Sequence, residues 1–221
     1  MELYHVLNRG VEKRDLFMNT GDYARFVHDL YEFNDSKPAH NAGRTFNTSS
    51  MIDLRDQSLE RSRIVDIHGW CLMKNHYHLL LSELVEGGLT LFIRKLNVGY
   101  ANYFNEKYTR IGTLFQGRTK RIRITSDPHF LHILHYIHLN PLDFVSTAKG
   151  WRSGRVENSR AARTQLERYR WSSYQDYSGK KNFPSILTMD FMRDSLGNVK
   201  KKTLEYIDDI DLAEIKPFLL E

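Results

Sequence analysis

Alternating and helical patterns of apolar residues divide the first 141 residues of this 221-residue chain into predicted strands and helices. Alternation at Tyr4–Asn8 predicts a first strand, and apolar positions at three- and four-residue intervals predict a helix over Asp22–Phe33. Two further strands are predicted at Ile64–Met73 and His76–Leu84. Only Lys74-Asn75 separates them, so they are expected to form an antiparallel hairpin.

The segments that follow predict a long helix, a basic strand and a final helix. Apolar and aromatic residues recur at helical spacing after Gly87-Gly88, and Lys120–Thr125 has the alternation of a strand. Ser126-Asp127-Pro128 is a typical helix start and Asn140-Pro141 a typical stop, so a helix is predicted over Asp127–Leu139. This order predicts an α+β fold whose first six elements form a ferredoxin-like antiparallel sheet with helices packed on one face.

Two regions depart from this pattern. The segment Asn34–Ser62 is rich in polar residues and has little periodicity, so it is predicted to be an insertion or mobile loop outside the core. Beyond the proline at 141 the chain becomes basic and later acidic, with amphipathic stretches near Met189–Leu196 and Ala213–Leu219. We therefore predict a core at 1–141 and, at 142–221, an appendage made of a basic segment and C-terminal helices.

The composition is that of a folded protein, with 41% hydrophobic and 12% aromatic residues. These fractions exclude a wholly disordered chain, and no apolar run reaches the roughly 18 residues that a membrane helix needs. The N-terminal residues lack the charged, apolar and small-residue regions of a secretory signal, so a cytoplasmic location is expected. Cys71 is the only cysteine, which excludes an internal disulfide and is typical of a small core residue.

The sequence His76-Tyr77-His78 lies in the second arm of the predicted hairpin. Side chains of a strand alternate between the two faces of the sheet, so both imidazoles are expected to project on the same side. Two neutral imidazoles side by side form half of a metal site. Because the chain has ten histidines, this spacing also arises by chance, and the pair alone does not establish a metal centre.

A second group of polar residues lies on the predicted helix Asp127–Leu139. Tyr136 and Asn140 share one helical face, and His132 lies on the same face one turn earlier. The opposite face carries an apolar stripe formed by Phe130, Leu134 and Ile137. Taken alone, Tyr136 and Asn140 are better explained as a core tyrosine and a helix end before proline. Their pairing with the two histidines favours a functional site.

The formal net charge of +5 is moderate, so the distribution of basic residues matters more than their number. Basic residues concentrate in Arg118–Ile124 and in Lys149–Arg170. In a strand, Arg121 and Arg123 would point outward while the isoleucines between and after them point inward. Each stretch alone is equally well explained as a solvated face. If the functional site acts on phosphodiesters, both stretches are expected to follow a polyanion.

Five short blocks in this order resemble the one-tyrosine HUH transposases, and most closely their REP-associated tyrosine transposase branch. The blocks are Tyr4-His5-Val6-Leu7-Asn8-Arg9-Gly10, Met73-Lys74-Asn75-His76-Tyr77-His78-Leu79-Leu80-Leu81, Gly112-Thr113-Leu114-Phe115-Gln116-Gly117-Arg118, Tyr136-Ile137-His138-Leu139-Asn140-Pro141 and Tyr169-Arg170-Trp171-Ser172-Ser173-Tyr174. The insertion and the long basic segment after Pro141 depart from the family's pattern. They leave substrate choice and oligomeric state open, because loops commonly set such specificity.

The resemblance implies an HUH endonuclease core that cuts and joins single-stranded or hairpin DNA through a covalent 5′-phosphotyrosine. It implies that Tyr136 is the nucleophile, and that His76, His78 and Asn140 bind a divalent ion, Mg²⁺ or Mn²⁺. His132 is a candidate general base because of its position on the Tyr136 face. The candidate DNA-binding residues are Arg118, Lys120, Arg121, Arg123, Arg152 and Arg155. The expected location is the cytoplasm, in association with the nucleoid.

Two other functions remain open from the sequence. One is a metal-dependent hydrolase in which His68, His76 and His78 bind the metal and water is the nucleophile. The other is a domesticated protein that binds DNA hairpins without cutting them. A covalent DNA adduct would separate the transposase from both. The sequence also leaves open whether the protein is a monomer or a homodimer.

Overall fold

A computed structural model describes residues 1–38 and 61–208 of the chain. The described residues form one antiparallel sheet, whose strands are β1 (Leu3–Arg9), β2 (Val65–Met73), β3 (His76–Glu83) and β4 (Lys120–Arg123). The strand order is β2-β3-β1-β4, with β4 at one edge. One helix follows β1 and another follows β3, so the first six elements have the ferredoxin-like topology. The predicted mixed fold with an antiparallel sheet is confirmed.

The helices lie close to the predicted positions in the first part of the chain. They are α1 (Thr20–Glu32), α2 (Gly88–Lys107), α3 (Asp127–Leu139), α4 (Ser159–Arg168), α5 (Tyr174–Tyr177), α6 (Asp190–Leu196) and α7 (Val199–Asp208). Short 3-10 helices are found at Val11–Lys13, Asn140–Phe144, Ser146–Ala148, Trp151–Ser153 and Pro184–Ile186. None of the helices described here is long and apolar enough to cross a membrane. The predicted bounds of α3 agree with the structure, because Ser126 caps its first turn and Pro128 follows.

Each face of the sheet is covered by its own hydrophobic core. On one face, α1 and α2 pack against side chains that include Val6, Tyr77 and Leu79. On the other face, α3 and the C-terminal helices pack against Leu3 and Leu80. The prediction that helices pack on one face therefore holds for α1 and α2, while α3 covers the opposite face. This second face is the one that carries the candidate site.

The last two turns of α3 are buried on all sides. Every residue from Ile133 to Asn140 is buried, including His135 and His138. The sequence predicts one apolar stripe opposite a polar face, but α3 lies between the sheet and α7 and has no solvent-facing side there. A helix that is buried all round loses its amphipathic pattern.

The predicted insertion at 34–62 lies mostly outside the described residues, and so does the stretch Ala213–Leu219. The two ends of the insertion meet near Asn34. Its side-chain oxygen accepts hydrogen bonds from the backbone N–H groups of Ile64 and Val65, both at 3.1 Å. The end of α1 is therefore fixed to the start of β2.

The C-terminal segment attaches directly to β2. The backbone N–H of Leu72 donates to the Trp171 carbonyl at 2.9 Å, and the N–H of Ser173 donates to the Trp70 carbonyl at 3.0 Å. The helices that surround this contact share the hydrophobic core of α3. The division between core and appendage at residue 141 stays a prediction, and these contacts join the two parts closely.

Candidate active site

The two histidines of the β3 motif lie side by side on the sheet face that α3 covers. The ring centroids of His76 and His78 are 5.0 Å apart, and both residues are buried. The register pairs His78 with Leu7 of β1 and His76 with Arg9. Directly opposite residues of an antiparallel pair project on the same face, so the pair shares this face with alternate residues of β1.

Tyr136 of α3 packs against His78 and His5 on this face of the sheet. Its ring centroid is 5.9 Å from that of His78 and 6.0 Å from that of His5, both in edge-on orientation. Trp151 also packs against the tyrosine, with 5.5 Å between the ring centroids. The tyrosine is fully buried. The structure therefore places the predicted nucleophile against His78, the histidine that in turn contacts His76.

His5 of β1 is a site residue that the sequence reasoning did not identify. Its Nε2 lies 2.9 Å from Nδ1 of His78, and the two rings are stacked with centroids 5.2 Å apart. Histidines that bind metals commonly use the second ring nitrogen in such a contact, which fixes the ring orientation. The signal was present in the first motif, Tyr4-His5, but its meaning depends on β1 lying next to β3.

Asn75 makes the equivalent contact to His76. The Asn75 side-chain nitrogen donates to the Lys13 carbonyl at 3.1 Å, and Asn75 Oδ1 lies 2.7 Å from His76 Nδ1. Because the amide oxygen only accepts, His76 Nδ1 carries the proton and donates it. Both imidazoles thus contact a protein group through Nδ1. This arrangement suits metal binding through the other ring nitrogen, Nε2. The two histidines fit a divalent ion on this ground.

Asn140, the third ligand implied by the resemblance, has a different partner. Its side-chain nitrogen donates to the Tyr136 carbonyl at 2.9 Å, so its oxygen points away from the helix. That oxygen accepts a hydrogen bond of 2.7 Å from a guanidinium nitrogen of Arg152. Within 1–38 and 61–208, no group of three or more His, Cys, Asp or Glu side chains could hold a metal. The donor set for a metal is therefore two imidazoles, with the amide oxygen bound to a cation of the protein itself.

The structure places the predicted general base against another helix. His132 Nδ1 contacts the hydroxyl of Tyr206 in α7, and the two rings are 5.3 Å apart. The described ring contacts of Tyr136 involve His5, His78 and Trp151 instead. The general-base role of His132 stays a prediction, and this geometry gives it no added support.

His68, proposed as a metal ligand in the hydrolase alternative, instead makes hydrogen-bond contacts from β2 to Thr188 and Ser82. Its Nδ1 lies 3.0 Å from the Thr188 carbonyl oxygen and its Nε2 lies 2.8 Å from the Ser82 hydroxyl oxygen. Burial lowers the pKa of this histidine, so it is neutral at pH 7. Both nitrogens are engaged away from the His76–His78 pair. The described residues therefore do not form the three-histidine centre that a hydrolase of this kind needs.

The basic residues of β4 are divided between the two faces of the sheet. The register pairs Lys120 with Leu7, on the face of the histidines, and pairs Arg121 with Val6, on the face of α2. Arg121 accordingly donates to the Thr90 hydroxyl of α2 at 3.0 Å. Among the predicted DNA-binding residues, Arg152 is half-buried. The others are exposed: Arg118, Lys120, Arg121, Arg123 and Arg155.

Comparison with known proteins gives a match of fold. No protein-family profile matches the chain, and no curated protein matches it. Among solved structures, the chain is similar to a REP-associated tyrosine transposase bound to a REP hairpin, with a TM-score of 0.50 and 13% sequence identity. The similarity covers 86% of this chain and 86% of the other. At this level of identity the likeness shows a shared fold.

Proposed function

We propose that this protein is a single-stranded DNA endonuclease and strand transferase of the REP-associated tyrosine transposase type. In this proposal Tyr136 forms a covalent 5′-phosphotyrosine on hairpin-flanked DNA. The observation that carries it is the position of Tyr136, edge-on to His78 at 5.9 Å and supported by a ferredoxin-like sheet. The fold shared with a hairpin-bound tyrosine transposase supports DNA as the partner.

The reaction is a transesterification. The phenol oxygen of Tyr136 attacks the phosphorus and loses its proton, the bond from phosphorus to the 3′ oxygen breaks, and that oxygen takes up a proton. A later attack by a 3′-hydroxyl on the phosphotyrosine restores a phosphodiester and releases the tyrosine. Because one ester replaces another at each step, strand joining needs no ATP. The number of phosphodiester-type bonds is the same before and after.

A tyrosine needs activation for this role, because an unperturbed phenol has a pKa of about 10. A divalent ion, Mg²⁺ or Mn²⁺, held by His76 and His78 would supply it by withdrawing charge from the scissile phosphate. His5 and Asn75 hold the two imidazoles in position for that task. The contacts of Tyr136 with His78 and Trp151 hold its ring in position.

One observation favours the binding-only alternative. Tyr136 is fully buried, with the ring of Trp151 on one side and the Arg152 guanidinium 6.0 Å from its ring centroid. A scissile phosphate reaches the phenol only after these groups move. A protein that recognises hairpins without cutting them would have no need for that movement.

The experiment that separates these functions uses end-labelled single-stranded hairpin DNA from the flanks of the gene. Wild-type protein is expected to give a denaturation-resistant adduct, and Tyr136→Phe is expected to give none while binding the hairpin like wild type. Tyr174→Phe is the matched control, because Tyr174 is a buried tyrosine of the same core. An adduct of wild-type yield in Tyr136→Phe would contradict the assignment. Hairpin binding without any adduct in wild type would support the binding-only protein.

A further inference from the structure

The amide of Asn140 is held at both ends. Its nitrogen donates to the carbonyl oxygens of Tyr136 at 2.9 Å and Ile137 at 3.4 Å, which closes the C-terminus of α3. Its oxygen is thereby directed to the Arg152 guanidinium at 2.7 Å. The residue is fully buried, so this orientation is fixed by the protein and not by solvent.

Arg152 is itself held in place by two residues, Asp143 and Trp151. One guanidinium nitrogen pairs with a carboxylate oxygen of Asp143, and the Trp151 ring nitrogen donates to the same oxygen at 2.8 Å. The guanidinium carbon lies 4.3 Å from the centroid of the Trp151 ring. These contacts fix the position of the Arg152 guanidinium at the end of α3.

A guanidinium and a divalent ion exclude each other at one amide oxygen. A nitrogen–hydrogen donor withdraws electron density from the oxygen, and the positive charge of the arginine repels a dication at the same atom. The resemblance assigns this oxygen of Asn140 to the metal. In the structure it belongs to Arg152.

We propose that Arg152 competes with the divalent ion for the Asn140 oxygen and so blocks the third metal position. This inference rests on the proposed function and adds its regulation. A DNA phosphate binds guanidinium in a bidentate, charge-assisted geometry and so draws the arginine away from the Asn140 oxygen. Metal loading is therefore coupled to substrate: DNA tightens metal binding, and by reciprocity metal tightens DNA binding.

The test measures Mn²⁺ affinity from the EPR signal of the free ion, in the full chain without DNA. Arg152→Met is expected to bind Mn²⁺ at least about fivefold more tightly than wild type, the lower range of coupling between sites. Arg163→Met is the matched control, because Arg163 also pairs with an aspartate, Asp208, but lies on α4. Its Mn²⁺ affinity should equal that of wild type.

Two further variants identify the cause of the gain. Arg152→Met leaves Asp143 without its arginine, and a lone carboxylate would itself attract a cation. Arg152→Met/Asp143→Asn removes that charge and should keep the gain, whereas Arg152→Met/Asn140→Ala should lose it. If Arg152→Met unfolds in a thermal melt, Arg152→Gln removes the charge with less disturbance and should show the same increase.

The outcomes that overturn the proposal are distinct from failure of the nuclease function. Equal Mn²⁺ affinity in wild type and the arginine variants, or no Mn²⁺ binding in any of them, would contradict competition between Arg152 and the ion. In a Tyr136→Phe background, hairpin DNA should tighten Mn²⁺ binding when Arg152 is present but not when the chain also carries Arg152→Met. Equal effects of DNA on both chains would overturn the coupling to substrate. Each readout is a binding constant, so it stands whether or not wild type forms an adduct.

Discussion

Asn75 connects the turn between β2 and β3 to the imidazole of His76. Through its bond to the Lys13 carbonyl, it also fixes a neighbouring turn in which Glu12 and Lys13 have positive φ angles of 56° and 60°. Non-glycine residues in this region carry strain, which persists only where surrounding contacts hold it. The backbone N–H of Gly10 donates to the Asn75 carbonyl at 2.8 Å and supplies a second such contact. Backbone strain and the orientation of His76 therefore depend on the same asparagine.

We expect Asn75→Ala to weaken Mn²⁺ binding by about 10- to 100-fold, the usual effect of losing a partner of a metal-bound histidine. The loss follows because the His76 ring no longer has a fixed proton position. Asn97→Ala is the control, since Asn97 accepts from the Tyr77 hydroxyl at 2.7 Å on the other face of the sheet. An unchanged Mn²⁺ affinity in Asn75→Ala would show that His76 is positioned without it.

Short-range spacing placed His76 and His78 on one face of a strand, and Tyr136 and Asn140 on one face of a helix. Strand alternation and one helical turn fix such relations within a few residues. The roles of His5 and Arg152 could not be found in this way. His5 contacts His78 only because β1 pairs with β3, and Arg152 reaches Asn140 across 12 residues of irregular 3-10 turns.

Packing between α3 and α7 keeps buried histidines neutral. His135 Nδ1 lies 2.7 Å from the Thr203 hydroxyl oxygen, and its ring stacks on Tyr206 at 4.9 Å. Burial, with smaller effects from the positive charges of Lys202 and His132, lowers the pKa of His135 to about 3. The protonated form is therefore incompatible with the folded packing near neutral pH.

We expect the free energy of unfolding to fall as pH decreases from about 6.5, the ordinary pKa of histidine, towards about 3. In this window the unfolded chain binds a proton that folded His135 does not. The loss is about 1.4 kcal/mol per pH unit for one such histidine. His135→Gln should reduce the slope, measured by urea unfolding at several pH values. Thr203→Val is the control, because it removes the hydrogen bond at every pH and should shift stability without changing the slope.

Strand β4 carries its basic residues along an exposed edge of the sheet. Arg121 is engaged by α2, and Arg123 pairs with Glu2 at 3.0 Å. Edge strands present backbone and side chains to partners, and this edge is positively charged. Lys120 points to the histidine face and extends the charge towards the site.

We expect Arg121→Ala/Arg123→Ala to flatten the salt dependence of hairpin binding. Each phosphate contact on a single strand contributes a log–log slope of about −0.7, so the pair should change the slope by roughly one unit or more. Binding to all sequences should weaken alike. The control is Lys201→Ala on α7, which removes one exposed charge far from β4 in the sequence. An unchanged slope in the double variant would mean that these arginines form a solvated face.

Two hydrophobic cores, one on each face, share the sheet. Patterning predicted the order of β1 to α3, because each of these elements has its own local period. Helices α4 and α7 were not predicted, although the buried residues Val199, Thr203 and Ile207 of α7 recur at four-residue intervals. Lysines between them obscured the pattern. The attachment of Trp171 and Ser173 to β2 joins residues about 100 apart, which no local period reveals.

Contacts of Ser173 join the C-terminal segment to the part of the chain before residue 141. A chain ending there would lose the Ser173 hydroxyl, which accepts from the Trp70 backbone N–H at 3.0 Å and lies 2.8 Å from His138 Nε2. Leaving such buried groups unpaired costs about 1–3 kcal/mol each. Truncation would also expose the buried side chains of Leu80 and Leu134, which belong to the core shared with α4 to α7.

We therefore expect 1–141 to lack cooperative unfolding, while the full chain unfolds in one transition by both circular dichroism and tryptophan fluorescence. Ser173→Ala is the graded control, since it removes one hydroxyl and keeps every helix. It should lower the free energy of unfolding by about 1–3 kcal/mol without dividing the transition. A folded 1–141 with the melting temperature of the full chain would establish the boundary as a true domain limit. The C-terminal helices would then cover the site without being needed to build it, and Arg152 would be a separable part of its control.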